Sequence, residues 1–220
     1  MILNYANGLI TRNRVIEVCE RLFYEKGLEK TTYRDICAAA DVRPGTLTHH
    51  FNGKNNIAAA IYFKAIRILD LKIMELFPDE DRTQQILTSI CINLYVMYQD
   101  SCYKRFYIEY STADIRGGSY TKHLPRILDE AMHQDDNDVE FSMFRAVAYR
   151  GMQASLSYYI GERMHEVPFE TAYRYWIKLM LSLQEKREKE MEKRIQKALQ
   201  HLKELEIVWD KLIVHIDRVK

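Results

Sequence analysis

The stretch from Leu22 to Tyr62, LFYEKGLEKTTYRDICAAADVRPGTLTHHFNGKNNIAAAIY, decides the fold. Within it Thr32-Tyr33-Arg34-Asp35 is a capping box. A hydroxyl can take the N–H three residues on, and a carboxylate can reach back to the cap, so a short helix opens here. Ile36, Ala39 and Ala40 form its inner face. Asp41-Val42-Arg43-Pro44-Gly45 is a tight connection, and Pro44 suits the first turn of the next helix. That helix runs to about Phe51 and ends at Asn52-Gly53. Two short helices meeting through such a turn read as a helix-turn-helix, a motif that offers its second helix to the DNA major groove. Leu47 and Phe51, four apart, face inward, while Thr46, Thr48, His49 and His50 face out.

Helical patterning continues on both sides. Leu9, Val15, Ile16, Val18, Cys19, Leu22 and Phe23 recur at three-to-four spacing, and Gly27 stops that helix. A long helix is expected from Lys54 to Phe77, closed by Pro78, and another from Gln84 to about Gln99, capped by Thr83. Further helices are expected over Tyr103–Ala113, Leu124–Met132 and Glu140–Ile160, with breaks at Gly117-Gly118 and Gly161. Asp135, Asp136, Asp138 and Glu140 read as a solvated loop. Strand-like alternation is absent from this reading, and the fold class is all-α.

Pro168 starts the next helix, and neither Gly nor Pro follows it. Met191, Ile195, Ala198, Leu202, Leu205, Trp209, Leu212, Ile216 and Val219 recur at alternating four- and three-residue steps, a heptad repeat. Leu199, Val208 and Ile213 widen its apolar face, which suits a helix packed into a bundle. The expected organisation is a helix-turn-helix domain at 1–53, a helical core domain at 54–186, and an extended C-terminal helix at 187–220.

Composition sets the limits on class. Of 220 residues 47% are hydrophobic and 29% charged, the balance of an ordinary globular protein, which excludes collagen-like, low-complexity and disulfide-scaffold chains. Lys and Arg number 32 against 31 Asp and Glu, so the net charge of +1 predicts no polyanion partner by itself. Over residues 1–64, however, nine basic residues outnumber six acidic ones. Arg12, Arg14, Arg34, Arg43 and Lys54 cluster near the proposed reading edge. Cys19, Cys37, Cys91 and Cys102 lack metal-ligand spacing and read as free thiols of a reducing cytoplasm. The first residues lack a signal-peptide pattern, and no apolar run reaches spanning length. Catalytic triads, paired carboxylates, phosphate-cradling loops and metal motifs are not found, so neither an enzyme, a metal nor a cofactor is expected.

The order and gaps of Leu22-Phe23, Gly27, Thr31-Thr32, Ile36, Ala39-Ala40, Val42, Gly45-Thr46-Leu47, His50-Phe51 and Lys54 resemble the DNA-binding domain of TetR-family transcriptional regulators. The resemblance covers about the first quarter of the chain. It implies a homodimeric repressor on a palindromic operator, with a helical C-terminal domain that binds a small inducer and carries the dimer interface. It assigns phosphate contact or fixing of the reading helix to Thr32, Thr46, His50 and Lys54. Arg34, Arg43, Pro44, Thr48 and His49 fall at variable positions facing DNA, with Tyr33 and Gly45 beside them. Thr48 replaces the family's usual backbone-contacting aromatic, and Asp41 replaces the usual turn glycine.

The rest of the chain is rich in Tyr, Phe and Met. An apolar or aromatic inducer is expected in a cavity lined by some of Tyr98, Phe106, Tyr107, Phe144 and Met152. The family's bundle-type interface implies a dimer face of Phe144, Val147, Met152, Leu156, Trp176, Leu179, Met180 and Leu183. A second reading keeps the DNA binding but places control in a protein partner docked on the heptad tail.

Overall fold

Breakers and caps fix where each helix stops. The chain is described by a computed structural model covering residues 2–115, 139–163, 166–182 and 188–219. Its elements are α1 (Ile2–Lys26), α2 (Tyr33–Ala40), α3 (Pro44–His50), α4 (Lys54–Leu76), α5 (Arg82–Gln99) and α6 (Ser101–Ile115). They continue with α7 (Val139–Arg163), α8 (Phe169–Ser182), α9 (Glu188–Lys203), β1 (Leu205–Asp210) and β2 (Ile213–Arg218). The fold is thus helical, an N-terminal helix-turn-helix domain followed by a helical C-terminal domain. Gly117-Gly118, the helix expected at 124–132, Asp135, Asp136, Asp138 and Leu183 lie outside the described residues. Among the described residues no helix is long and apolar enough to cross a membrane.

Two helix boundaries differ from expectation, each for a local reason. The α5 cap is Asp81, whose Oδ1 accepts the Gln84 N–H at 2.8 Å, while Thr83 is buried inside the first turn. Gly161 does not end α7, which runs on to Arg163. The glycine instead lets α6 approach: a Cβ there would overlap the Ile108 side chain.

The larger correction concerns the extended C-terminal helix. The helix stops at Lys203, and residues 205–218 form an antiparallel hairpin in which Leu205 pairs with Arg218 and Asp210 with Ile213. Ile207, Val208, Trp209, Ile213, Val214 and Ile216 are β-branched or aromatic, types that favour a pleated, half-buried surface. Burial alternates along β1, with Leu205, Ile207 and Trp209 on the inner side. The step of four from Leu205 to Trp209 is even, so it keeps one strand face as readily as one helix face. The two-residue turn Lys211-Leu212 then resets the parity, and Lys211 takes a left-handed φ of 53°.

The heptad stripe ahead of the hairpin faces the molecule's own core. Ile195 and Ala198 are fully buried, with Leu199 and Met191 nearly so, where α9 packs on α5 and α8. Asp81, already capping α5, also takes both Nη atoms of Arg194 at 2.9 Å, which fixes α9 to the α5 N-terminus. His201 stacks on Phe77 with centroids 4.1 Å apart, and its Nδ1 lies 2.9 Å from Thr88 Oγ1.

One buried cluster runs through both domains. Val15, Cys19, Phe23, Ile36, Leu47 and Ile57 centre the first, and Leu87, Cys91, Ile92, Tyr110, Tyr173 and Ile177 the second. They meet where α6 grips the end of α1. Phe23 stacks on Phe106 at 6.2 Å, and Arg105 Nη2 donates to the carbonyls of Tyr24 (2.6 Å) and Glu25 (2.9 Å). Glu109 Oε2 accepts the N–H groups of Leu28 (2.5 Å) and Glu29 (3.2 Å). A cation thus serves the last carbonyls of a helix, and an anion the N–H groups just beyond it.

Gly27 makes this junction possible. Its φ is +91°, and a Cβ would lie 2.9 Å from Glu109 Oε1 and 3.0 Å from Arg105 Nε. Gly27→Ala therefore meets both a disfavoured backbone and a crowded pair of charged side chains. The expected loss is about 2 kcal/mol of unfolding free energy, measured by urea denaturation. A loss of under about 0.5 kcal/mol would show that the junction yields freely.

Candidate nucleic-acid interface

The helix-turn-helix is built as its sequence dictates. Thr32 Oγ1 accepts the Asp35 N–H at 3.1 Å, and Asp35 Oδ2 accepts the Thr32 N–H at 2.9 Å, so both halves of the capping box form. Bonds from the Thr32 backbone and hydroxyl, with Lys26 Nζ at 3.2 Å, hold the Asp35 carboxyl at about 2, below the usual carboxylate range. Asp41 ends α2 in the left-handed region (φ 48°, ψ 55°), a conformation its short polar side chain tolerates. The turn thus survives without a glycine. Arg14 Nη2 also reaches the Asp41 carbonyl, at 3.4 Å.

Pro44 occupies the first turn of α3 after an extended Arg43. Leu47 is fully buried and Phe51 nearly so, while the Arg12 guanidinium lies 5.2 Å from the Phe51 ring centroid. The opposite edge is open. Arg43, Pro44, Gly45, Thr48 and His49 are exposed, and Thr46 and His50 are half-buried at its flanks. Tyr33 and Arg34, on the first turn of α2, are also exposed, as is Thr32. Each of these sequence-derived reading residues is therefore exposed or half-buried within the helix-turn-helix.

Two of them are partly committed elsewhere. The Thr48 hydroxyl donates to the Pro44 carbonyl at 3.1 Å, leaving its oxygen lone pairs as the outward-facing feature. Lys54 Nζ donates to the carbonyls of Thr31 (2.8 Å) and Glu29 (3.2 Å), and burial lowers its pKa. Lys54 is thus first a tie between α4 and the α1–α2 link. One further ammonium proton remains for a phosphate.

The five expected cavity residues have different immediate surroundings. Tyr98 donates to the Val167 carbonyl at 2.8 Å and packs edge-on against Phe169. Phe106 is spent on the interdomain stack with Phe23. Phe144 is 69% exposed, and Met152 is half-buried. Only Tyr107 belongs to a buried polar group, accepting at its hydroxyl from Gln153 Nε2 at 2.9 Å. Gln153 Oε1 in turn accepts from Arg150 Nη1 at 2.9 Å, and the Arg150 guanidinium lies 5.5 Å from the Tyr110 ring centroid. Tyr62 on α4 packs against both Tyr107 and Tyr110. Sequence reading passed over Tyr62, Arg150 and Gln153. The available signal was a charged and an amide residue three apart, Arg150 and Gln153, in the middle of a helix rich in Tyr, Phe and Met.

The expected dimer residues separate into two groups. Val147 and Leu179 are exposed and Leu156 is half-buried, but Trp176 and Met180 are buried inside their own chain. Trp176 and Met180, four apart, share the inner face of α8 with Tyr173 and Ile177, which points them at the core. The outer face carries Tyr175 and Leu179 instead. On α7, Phe144, Val147, Ala148, Ser155 and Tyr158 fall on one exposed side.

Residues 15–61 match the family model described as bacterial regulatory proteins, tetR family. The chain is 41% identical over 51 residues to the HTH-type transcriptional regulator TtgR of Pseudomonas putida, covering 23% of this chain and 24% of that one. It is 40% identical over 50 residues to the HTH-type transcriptional repressor KstR2 of Rhodococcus jostii, again 23% and 24% of the two chains. The matched segment thus spans about a quarter of these relatives' length. A solved structure of RolR in complex with resorcinol superposes with a TM-score of 0.58 at 14% identity, over 88% of this chain and 95% of that one, a likeness of fold. On its capped α2, its α3 and the helices that hold them, the segment 15–61 is similar to the tetR family of bacterial regulatory proteins.

Proposed function

We propose that the chain is a dimeric, sequence-specific DNA-binding regulator of transcription, a repressor that a small aromatic or apolar ligand releases from its operator. The open edge of α3 carries the reading. Thr48 and His49 offer donors and acceptors to base edges, while Leu47 and Phe51 hold the helix rigid from behind. Arg34, Arg43 and the remaining proton of Lys54 supply phosphate contacts at its margins.

The exposed apolar side of α7 and α8 supports the dimer. Phe144, Val147, Tyr158, Tyr175 and Leu179 together form more large apolar surface than scattered exposure explains. A two-fold arrangement through these helices would supply two α3 edges, as binding to paired half-sites on successive major grooves requires. Tyr62, Tyr107, Arg150 and Gln153 support the ligand. They put hydrogen-bonding groups within an aromatic interior, and Tyr107 shares α6 with the Arg105 and Glu109 grip on α1. A ligand that shifts α6 would move the reading domain with it, favouring a half-site spacing the operator does not match. Small phenols are the first class to screen, and the RolR complex holds one. The protein-partner reading loses its support, since Met191, Ile195, Ala198 and Leu199 of the heptad stripe are buried in the chain's own core.

Selection of genomic fragments by the purified chain at about 0.15 M salt tests the reading. One enriched palindromic site is expected. Binding without sequence preference would refute specific regulation. On the selected site, Arg34→Ala should weaken binding evenly across sequences and reduce the salt slope by about one. His49→Ala should instead erase about 1–3 kcal/mol of discrimination at one base position. Variants that bind as well as the parent chain would place the reading edge elsewhere.

A further inference from the structure

Asp100, in the elbow between α5 and α6, serves three parts of the molecule at once. Its Oδ1 accepts the N–H groups of Cys102 (2.7 Å) and Tyr103 (2.9 Å), which caps α6. Its Oδ2 accepts the Tyr24 hydroxyl from the end of α1 at 2.7 Å. The same oxygen accepts the Trp209 indole N–H from β1 at 2.8 Å. Trp209 stands next to the hairpin turn, so the tip of the hairpin and the reading domain are held on one carboxylate oxygen.

The base of the hairpin is fixed at the far end of α4. Arg218 Nη2 donates to the Leu76 carbonyl at 2.7 Å, and its guanidinium lies 5.0 Å from the Phe77 ring centroid. Phe77 also carries the stacked His201. Between base and tip, β2 packs along α4 with Val214 and Ile216 buried. A six-residue strand spans about 20 Å. The hairpin is therefore a splint beside α4, the helix that joins the two domains, with one end on the core and the other on α1. Filling an apolar gap would require only a large ring at position 209. The indole N–H aimed at Asp100, beside the Tyr24 hydroxyl, supplies a charge-assisted tie that an apolar ring could not.

We infer that the hairpin is a strap that sets the angle of the reading domain on the core, and that Trp209, Asp100 and Tyr24 are positioning residues for DNA binding. The consequence for DNA rests on the function proposed above; the strap itself does not. Hydrogen exchange on the full chain, without DNA, separates the two. Trp209→Phe keeps the ring packing and removes the N–H, and Tyr24→Phe removes the other donor. In Trp209→Phe, exchange at the Leu28 and Glu29 amides is expected to rise about tenfold, although their hydrogen bonds run to Glu109 and not to position 209. Tyr24→Phe should raise the same amides, while amides of the α5 core from Leu87 to Asn93 stay as in the parent chain. Faster exchange confined to the hairpin and α9 in Trp209→Phe would make Trp209 a local packing residue and overturn the inference. So would unchanged exchange at Leu28 and Glu29 in Tyr24→Phe. A second arm measures affinity for the duplex selected by the parent chain, where both variants should bind several-fold more weakly. Raised exchange in a chain whose parent selects no duplex would support the strap and refute the regulator.

Discussion

Glutamate at Val147 and Leu179 together should leave the chain folded and split the proposed dimer. Both side chains are exposed in the single chain, 53% and 47%, so carboxylates there meet water and leave the core packing intact. In a two-fold interface each substitution appears twice, and the two copies face a self-complementary surface. Four carboxylates would then be desolvated without partners. At even about 1 kcal/mol each, the low end of the cost of burying an unsatisfied polar group, dimer formation weakens by about 4 kcal/mol, roughly a thousandfold. Sedimentation should show monomer at micromolar concentration with the helical signal of the parent chain. Operator affinity should fall by more than about a hundredfold, because one reading helix must then bind without its twin. A dimer that persists would move the interface away from α7 and α8. As a control, Trp176→Glu should unfold the chain, since that side chain is 3% exposed and faces its own core.

That contrast marks where sequence reading stopped. Hydropathy gave Trp176, Met180, Val147 and Leu179 the same standing, because an apolar residue answers equally to a core and to an interface. Only the packing of α7 on α6, and of α8 on α5 and α9, separated them. The reading domain was legible because its signals are local. A capping box, a proline in the first turn and an apolar pair four apart each specify geometry within a few residues. The hairpin was hidden for the opposite reason. Its turn lacks the Asn-Gly or Asp-Gly pair that marks a two-residue loop, and its inner residues coincide with heptad positions at Leu205, Trp209 and Ile216. Ile207 and Val214 were the discriminating residues. They lie off the heptad stripe and yet face inward, as strand alternation requires.

Residues whose role depends on distant partners left no local trace. Asp100 follows Gln99 at an unremarked helix junction, and its donors lie 76 and 109 residues away in the chain. Arg105 and Glu109 are one turn apart on α6 and look like an ordinary solvated face. Their use on the two sides of Gly27 emerges only when α1 is laid against α6. Lys54 is an instructive middle case. The family resemblance assigns it a phosphate, and the structure first assigns it the carbonyls of Glu29 and Thr31.

Leu47→Ala should have the largest effect on the reading domain, and comparison with Thr48→Ala makes its cause readable. Leu47 is fully buried and anchors a helix of seven residues, too short to hold its shape alone. Truncation removes most of an apolar side chain and leaves a cavity that α1, α2 and α4 cannot readily close. The expected cost is about 3 kcal/mol of unfolding free energy, with loss of operator binding as α3 detaches. Thr48, one residue on, is exposed, and its hydroxyl bonds within its own helix. Thr48→Ala should change stability by less than about 0.5 kcal/mol. If the Thr48 oxygen faces DNA, the same substitution should still weaken operator binding several-fold. Equal losses of stability in the two variants would mean that α3 packs through a face other than the one bearing Leu47 and Phe51. A stable Leu47→Ala chain that no longer binds its operator would point to a contact made by Leu47 itself. The order expected from the packing is a large stability loss for Leu47→Ala and a binding loss alone for Thr48→Ala.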